Sequence, residues 1–286
     1  MAKNGKVPDN FVVLSLFDGI SCGQQALKEL NIKPSKYYAS EIHLPSIKVT
    51  KKNFPDTILL GDVKSVKAER LPKIDLLLAG SPCQGFSSTG KKLNFNDPRS
   101  KLFFEFIRIL KECRIKNPKL KFLLENVCMK KQWEYIISKQ VGVMPIKINA
   151  ALVSAQSRNR LYWTNIPNIK QPKDKKIYLI DIVDPPYCKN FKTKRKATDS
   201  SHYNRHEDVK NLNNSKAHCL TASMSITKLP KIPIDFKTYR PITVIEAERL
   251  QGLPDNYTAG ISKTQRFQAI GNGWNISVIK HILKNL

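Results

Sequence analysis

Hydrophobic positions along this chain fall into two patterns. Short, nearly continuous apolar runs occupy 11–17, 37–41, 58–62, 74–79 and 121–127. Runs of this length, bounded by glycine and charged residues, are what strands buried on both faces require. Between them the apolar spacing is helical: 24–30 follows the first run, and 101–112 carries Leu102, Phe103, Phe106, Ile107 and Leu110. Further strands are expected within 147–153 and 154–163. In the last third, 241–252 reads as a helix, and 268–286 returns to an apolar, helical pattern. Strands alternating with helices predict an α/β fold built on a parallel sheet.

The strand ends carry the candidate chemistry. The first runs into Asp18-Gly19-Ile20-Ser21-Cys22-Gly23, a glycine turn before a helix, which is how nucleotide-binding α/β units begin. Its spacing is not that of a dinucleotide fingerprint, and many such turns need glycine for geometry alone. The second and third strands end in Glu41 and Asp62. An acid after the second strand often accepts from a ribose; otherwise it caps a helix or is solvated. Asp18, Glu41 and Asp62 would align along one carboxyl edge of the sheet, and the repetition weighs more than any member. The fourth strand leads into Gly80-Ser81-Pro82-Cys83-Gln84-Gly85-Phe86-Ser87 at that same edge. A cysteine on so stiff a loop suits a nucleophile; the bland reading is a small apolar filler. Glu125, near the end of the fifth strand, is either paired or functional. Arg158 and Arg160, two apart in an expected strand, would share a face turned to solvent or to an anionic or carbonyl-bearing ligand.

Composition changes near Asp184-Pro185-Pro186. From 189 to 240 the chain is polar, basic and poor in long apolar runs, which marks a small second domain. Lys189, Lys192, Lys194, Arg195 and Lys196 surround Phe191 there. Such a run is usually a solvated loop, but beside a net charge of +26 over 286 residues it reads as a phosphate-contacting segment. Part of the lysine excess fits the codon bias of an AT-rich genome. Six cysteines occur without a CxxC pair or zinc-spaced histidines, so no metal is expected. Free thiols and the lack of an apolar leader predict a reducing, intracellular setting, and no apolar run is long enough to cross a membrane.

In chain order these segments resemble the DNA (cytosine-5)-methyltransferases, over nearly the whole chain. Phe17-Asp18-Gly19 through Gly23 is similar to the family's cofactor turn, and Gly80-Ser81-Pro82-Cys83-Gln84 to its Pro-Cys motif. Glu125-Asn126-Val127 is similar to its Glu-Asn-Val motif, and Gln156-Ser157-Arg158-Asn159-Arg160 to its Gln-x-Arg-x-Arg motif. Arg240-Pro241 with 246–254 resembles the segment closing the recognition region, and Gly271-Asn272-Gly273-Trp274 the last cofactor motif. Each motif alone is weak; all of them in order are specific. There are departures. The first motif is Phe-Asp-Gly-Ile-Ser-Cys-Gly rather than the bacterial Phe-Ala-Gly-x-Gly-Gly, and Ser81 stands where proline is more frequent. Leu102-Phe103-Phe104-Glu105-Phe106, with the terminal Gly-x-Gly-Trp, is similar to the animal de novo branch, here expected without its regulatory domains.

The resemblance implies a Rossmann-like, S-adenosyl-L-methionine-dependent sheet with a small, basic target-recognition domain. Residues 1–186 plus 268–286 would form the catalytic domain and 187–267 the recognition domain. It implies S-adenosyl-L-methionine at Phe17, Asp18, Gly19, Ile20, Gly23, Glu41, Ile42, Asp62, Val63, Pro82, Leu102, Asn272, Gly273 and Trp274. Glu41 would take the ribose, Asp62 the adenine amine, and Phe17 and Trp274 would flank the cofactor. Cys83 would add to carbon 6 of a flipped-out cytosine, Glu125 would act at ring nitrogen 3, and Arg160 would hold the ring carbonyl, with Arg158 orienting the loop. Gln84, Ser87, Asn126, Lys194, Arg195 and Lys196 would contact the substrate, double-stranded DNA, with no metal and no membrane. The chain would act as monomer or homodimer, in cytoplasm or nucleoid for a prokaryotic or phage source and in the nucleus for a eukaryotic one. Rival readings are a tRNA cytosine methyltransferase, a non-catalytic DNA-binding homologue and an unrelated thiol hydrolase. The last lacks a histidine in a suitable context, since His202, His206 and His218 all fall in the variable basic region.

Overall fold

The computed structural model describes residues 7–81, 102–187, 212–223, 229–235 and 238–286. The chain divides into two compact units. One comprises Met1–Ile148, Asn159–Gln171 and Val278–Leu286; the other comprises Asn149–Arg158 and Pro172–Ser277. The expected recognition segment, 187–267, falls within the second.

The first unit is organised by a seven-stranded sheet. Its strands are β1 (Val12–Leu16), β2 (Lys36–Ser40), β3 (Ile58–Leu59), β4 (Leu76–Gly80), β5 (Lys121–Val127), β6 (Ile146–Asn149) and β7 (Asn159–Thr164), in the order β3-β2-β1-β4-β5-β7-β6. β1 pairs in parallel with β2 and β4, aligning Leu16 with both Ser40 and Ala79. Val13, Leu14 and Leu16 are fully buried, as the continuous apolar run requires. Helices α1 (Cys22–Glu29) and α2 (Leu44–Asn53) carry the chain to one side of β1, and the later strands β4 and β5 lie on the other. Such a reversal of strand order parts the loops at the carboxyl ends and leaves a ligand crevice there.

Helix α3 (Leu102–Lys116) buries Phe103, Phe106, Ile107 and Leu110, the predicted stripe. The Phe106 ring lies 6.4 Å from that of Phe122 on β5. Each such side chain contributes about 1.5–3 kcal/mol on burial. β7 runs antiparallel to β5, setting Glu125 opposite Tyr162 and Val127 opposite Arg160. Trp163 is fully buried, and its Nε1 donates to Ser138 Oγ of α4 (Lys131–Val141) at 2.9 Å.

Three expected strands are shorter than their apolar runs. The third ends at Leu59, because Gly61 turns left-handed (φ 72°) and Asp62 accepts from Lys64 N to cap a 3-10 turn. The expected strand at 147–153 stops at Asn149, whose Oδ1 accepts from Ala151 N and turns the chain into a second 3-10 turn. The run at 154–163 becomes strand only at Asn159, so Arg158 lies outside β7 and the predicted shared face with Arg160 does not form.

The second unit holds a two-stranded sheet of β8 (Lys231–Pro233) and β9 (Tyr239–Pro241), with α5 (Val244–Leu250) and α6 (Lys263–Asn272). A pair of strands is marginal alone. Buried ions reinforce it. Glu246 closes a capping box with Thr243 and takes both Arg240 terminal nitrogens, at 2.8 and 2.6 Å. Glu248, fully buried, accepts from Asn256 N, Thr258 and Arg266. The acids of this helix therefore serve the fold. Helix α7 (Ile276–Leu283) ends the chain's regular structure.

Candidate active site

The turn after β1 holds three left-handed residues in five: Phe17 (φ 56°), Gly19 (φ 58°) and Ser21 (φ 55°). A side chain on Gly19 would meet no atom within 4 Å, so it is the backbone conformation that demands glycine, and open space lies beside it. Glu41, directly after β2, locks this turn. Its Oε2 accepts from Gly19 N, and its Oε1 from Ile42 N and His43 N, each at 2.8 Å. Four side chains close on Asp18. Tyr37 donates to Oδ1 at 2.9 Å, Ser21 donates to Oδ2, Ser15 contributes a further hydrogen bond, and Glu41 stands nearby. Burial, with a smaller push from the Glu41 charge, outweighs these donors and raises the Asp18 carboxyl to about 6.

Next to Glu41, Ile42 and Leu44 are 68% and 75% exposed, an apolar surface beside a carboxylate. Asp62 follows at the third strand, beside Gly61, where again no atom lies within 4 Å of a built side chain. The edge therefore offers open backbone, uncovered apolar surface and three acids, which fits a cofactor with a planar base, a diol and a cationic amino-acid end. Ile20 and Val63, expected at this site, are core residues at 1% and 4% exposure, and Gly23 is buried within α1. Anything those three give a ligand is therefore backbone. Leu102 begins α3, half-buried.

On the same sheet, Arg160 Nε lies 3.0 Å from Glu125 Oε1, both side chains nearly buried. Glu125 is in register with Gly80, the last residue of β4. One step further, the Asn126 amide donates to Ser81 Oγ at 3.0 Å, while its own Oδ1 accepts from Val127 N at 2.8 Å. Asn126, expected among the substrate contacts, is 2% exposed and turned to Ser81 instead. Pro82, Cys83, Gln84, Ser87, Lys194, Arg195 and Lys196 lie outside the described residues. Among the described cysteines, Cys22 and Cys113 are buried, and burial pushes the Cys113 thiol up to about 12. Burial also raises the Cys128 thiol, so neither of these two is an activated nucleophile.

Within the second unit, Arg158 is 4% exposed, and its guanidinium donates to the carbonyls of Leu220, Gly271 and Gly273 at 2.8, 3.2 and 3.0 Å and to Cys219 Sγ at 3.4 Å. Placed among the catalytic residues by its motif, it is a backbone clasp on the segment 271–273 that was expected at the cofactor. Asn272 ends α6, Gly273 caps it, and Trp274 follows, half-buried. Gly271 has a reason of its own: an added Cβ would lie 2.4 Å from the Thr221 carbonyl carbon and 2.6 Å from Ala222 N. Sequence reasoning missed Tyr37, Ser81, Gln156 and Gln251 as supports. Gln156 accepts from Leu220 N and donates to Gln251 Oε1, and Gln251 donates to Ile270 O and Gly273 O. Ser81, Gln156 and Gln251 stood inside motif segments that gave no hint of these partners, and Tyr37 offered only a polar tip on an apolar strand. Among the described residues no group of three or more His, Cys, Asp or Glu could hold a metal, and no helix is long and apolar enough to cross a membrane.

Residues 11–134 and 146–286 match the family model described as C-5 cytosine-specific DNA methylase. The Type II methyltransferase M1.ScrFI of Lactococcus lactis subsp. cremoris is 30% identical, over 96% of this chain and 78% of that protein. The Type II methyltransferase M.NlaIV of Neisseria lactamica is 41% identical over 40% of this chain and 27% of its own length. In fold, the chain is similar to the Entamoeba histolytica methyltransferase EhMeth (TM-score 0.70, 17% identity, 97% and 98% of the two chains). It is also similar to a putative DNA modification methyltransferase encoded within an Escherichia coli prophage (TM-score 0.66, 22% identity, 96% and 98%).

Proposed function

The chain belongs to the C-5 cytosine-specific DNA methylase family, and on that footing we propose how its residues transfer a methyl group to carbon 5 of cytosine in double-stranded DNA. The observation that carries the assignment is the Glu125–Arg160 ion pair beside the strand end leading through Gly80 and Ser81 to Cys83. Carbon 5 is a poor nucleophile until carbon 6 is attacked. The Cys83 thiolate adds to carbon 6, and the ring electrons shift toward carbon 5 while charge builds on nitrogen 3 and the carbonyl at position 2. Glu125 supports nitrogen 3, and Arg160 holds that carbonyl oxygen as charge grows there. S-adenosyl-L-methionine, when bound, supplies the methyl group as an electrophile for carbon 5. The carbon 5 proton then leaves to a base, the sulfur–carbon 6 bond breaks, and the thiolate returns.

For the cofactor, Glu41 would face the ribose with its remaining lone pair, Asp62 the adenine amine, and Ile42 the base; Asp18 suits the cationic amino end. None of the reacting atoms is reachable inside a base stack, so the cytosine must be flipped out, at a cost of a few kcal/mol offset by pocket and phosphate contacts. The basic run at Lys194, Arg195 and Lys196 would supply phosphate contacts. The relatives named as type II methyltransferases support a modification role in a prokaryotic cell.

Bisulfite sequencing of a plasmid from cells expressing the chain tests the reading. Converted-resistant cytosines in a fixed sequence context are expected, and are expected to vanish in Cys83→Ala, which still binds the cofactor. Methyl incorporation into tRNA but not into duplex DNA would overturn the choice of substrate, and turnover by Cys83→Ala would overturn the nucleophile.

A further inference from the structure

The Ser81–Asn126 contact lies outside the roles assigned so far. The β4–β5 ladder ends with Gly80 opposite Glu125. The next rung, Ser81 beside Asn126, is made by side chains: Asn126 Nδ2 donates to Ser81 Oγ at 3.0 Å and reaches the Ser81 carbonyl at 3.5 Å. Both residues are nearly inaccessible, Ser81 at 5% and Asn126 at 2%. The Asn126 amide cannot swing, since its oxygen is held by Val127 N. A buried hydrogen bond of this kind is costly to leave half-made.

We propose that the Ser81 hydroxyl is a positioning residue for the methyl transfer: latched by Asn126, it fixes where the chain leaves β4 relative to Glu125. The inference rests on the reading of Cys83 as nucleophile. Ser81 precedes Cys83 by two residues, a span of at most about 7 Å of extended chain. The strand that carries the acid thus also holds Ser81, two residues before the thiol in sequence. Where family members carry proline at this position, the ring stiffens the backbone by itself. Ser81 has no such ring, and the hydrogen bond replaces that restraint. Errors of about 1 Å in the placement of a reacting group cost rate rather than binding.

The test uses the full chain and a random-sequence duplex carrying 5-fluorocytosine. Fluorine cannot leave carbon 5 as a proton does, so methylated adducts stay bound to the protein. Ser81→Ala should trap the duplex about tenfold more slowly and lower kcat alike, with KM for DNA and cofactor within twofold and a melting temperature lower by a few degrees, since the Asn126 amide loses its acceptor. Ser81→Thr, which keeps the hydroxyl, should restore the rate. Asn126→Ala should match Ser81→Ala, and the double variant should be no slower than the slower single one, as members of one contact behave. Trapping at the wild-type rate by Ser81→Ala, or a Ser81→Thr as slow as Ser81→Ala, overturns the latch alone. An unaltered chain that traps no duplex, while methylating it, overturns the covalent reading beneath it.

Discussion

Arg160 reaches Glu125 diagonally across the β5–β7 pair, Nε to Oε1 at 3.0 Å, because Arg160 sits two residues before Tyr162, the direct partner of Glu125. Diagonal neighbours on one face of an antiparallel pair lie about 7–8 Å apart at the backbone, a gap that only long side chains close. An arginine and a glutamate meet that requirement, and the pair forms on one face at the carboxyl end of β5.

Replacing Arg160 by Ala should therefore lower kcat by about 10²–10³, the usual effect of removing a donor aimed at developing charge. Steady-state methyl incorporation checks this. A loss of less than threefold would remove Arg160 from the chemistry.

Asp18 predicts a pH dependence. Its folded carboxyl titrates near 6, above the ordinary 3.8, chiefly through burial. Its contribution to stability is thus fully present below the unfolded value and is lost as pH rises through about 6. Asp18→Asn should melt progressively higher than wild type between pH 5 and 7.5. Cofactor affinity in calorimetry should move oppositely, strengthening as Asp18 ionises and pairs with the cationic amino end; a pH-independent affinity would contradict that pairing.

Arg158 should behave unlike Arg160. Arg158→Met removes a donor from three buried carbonyls, of which Gly273 O keeps Gln251 Nε2, at a cost of about 3 kcal/mol in urea denaturation. Arg160→Ala, which leaves the nearly buried Glu125 without its partner, should destabilise as well, so the two arginines are told apart by turnover per folded molecule and not by the unfolding midpoint.

Gly271→Ala forces a Cβ against backbone atoms 2.4–2.6 Å away, which have no rotamer with which to yield. A loss of about 1–3 kcal/mol is expected. A melting point within 1 °C (roughly 0.6 kcal/mol) of wild type would show that the segment at Thr221 moves freely.

Changing Lys194, Arg195 and Lys196 together to Ala should weaken duplex binding across sequences. The slope of log affinity against log salt should shrink by about three, near one per phosphate contact. An unchanged slope would take the run off the DNA.

Much of this was legible in the chain itself. Continuous apolar runs mark β1, β4 and β5, and the acids after β1, β2 and β3 fall on one edge because neighbouring parallel strands end together. The helix expected over 241–252 forms as α5, starting later because the Thr243–Glu246 capping box sets its first turn. Arg158 was not legible: a two-residue spacing reads as one strand face, and only the late start of β7 hands its guanidinium to Leu220, Gly271 and Gly273. Nor was Asn126, whose motif marks it for substrate while its amide serves Ser81. Long-range partners such as Leu220 for Gln156 lie 64 residues off, beyond any local pattern.

The chain passes between the two units at 148/149, 158/159, 171/172 and 277/278. An engineer exchanging target specificity between relatives by transplanting 187–267 would therefore cut through one folded body. Even a graft of 172–277 leaves 149–158 behind, and with it the arginine that clasps Leu220, Gly271 and Gly273. A chimaera that keeps this unit whole carries both segments from the same parent, so the second unit is portable as two pieces of sequence and not as one cassette.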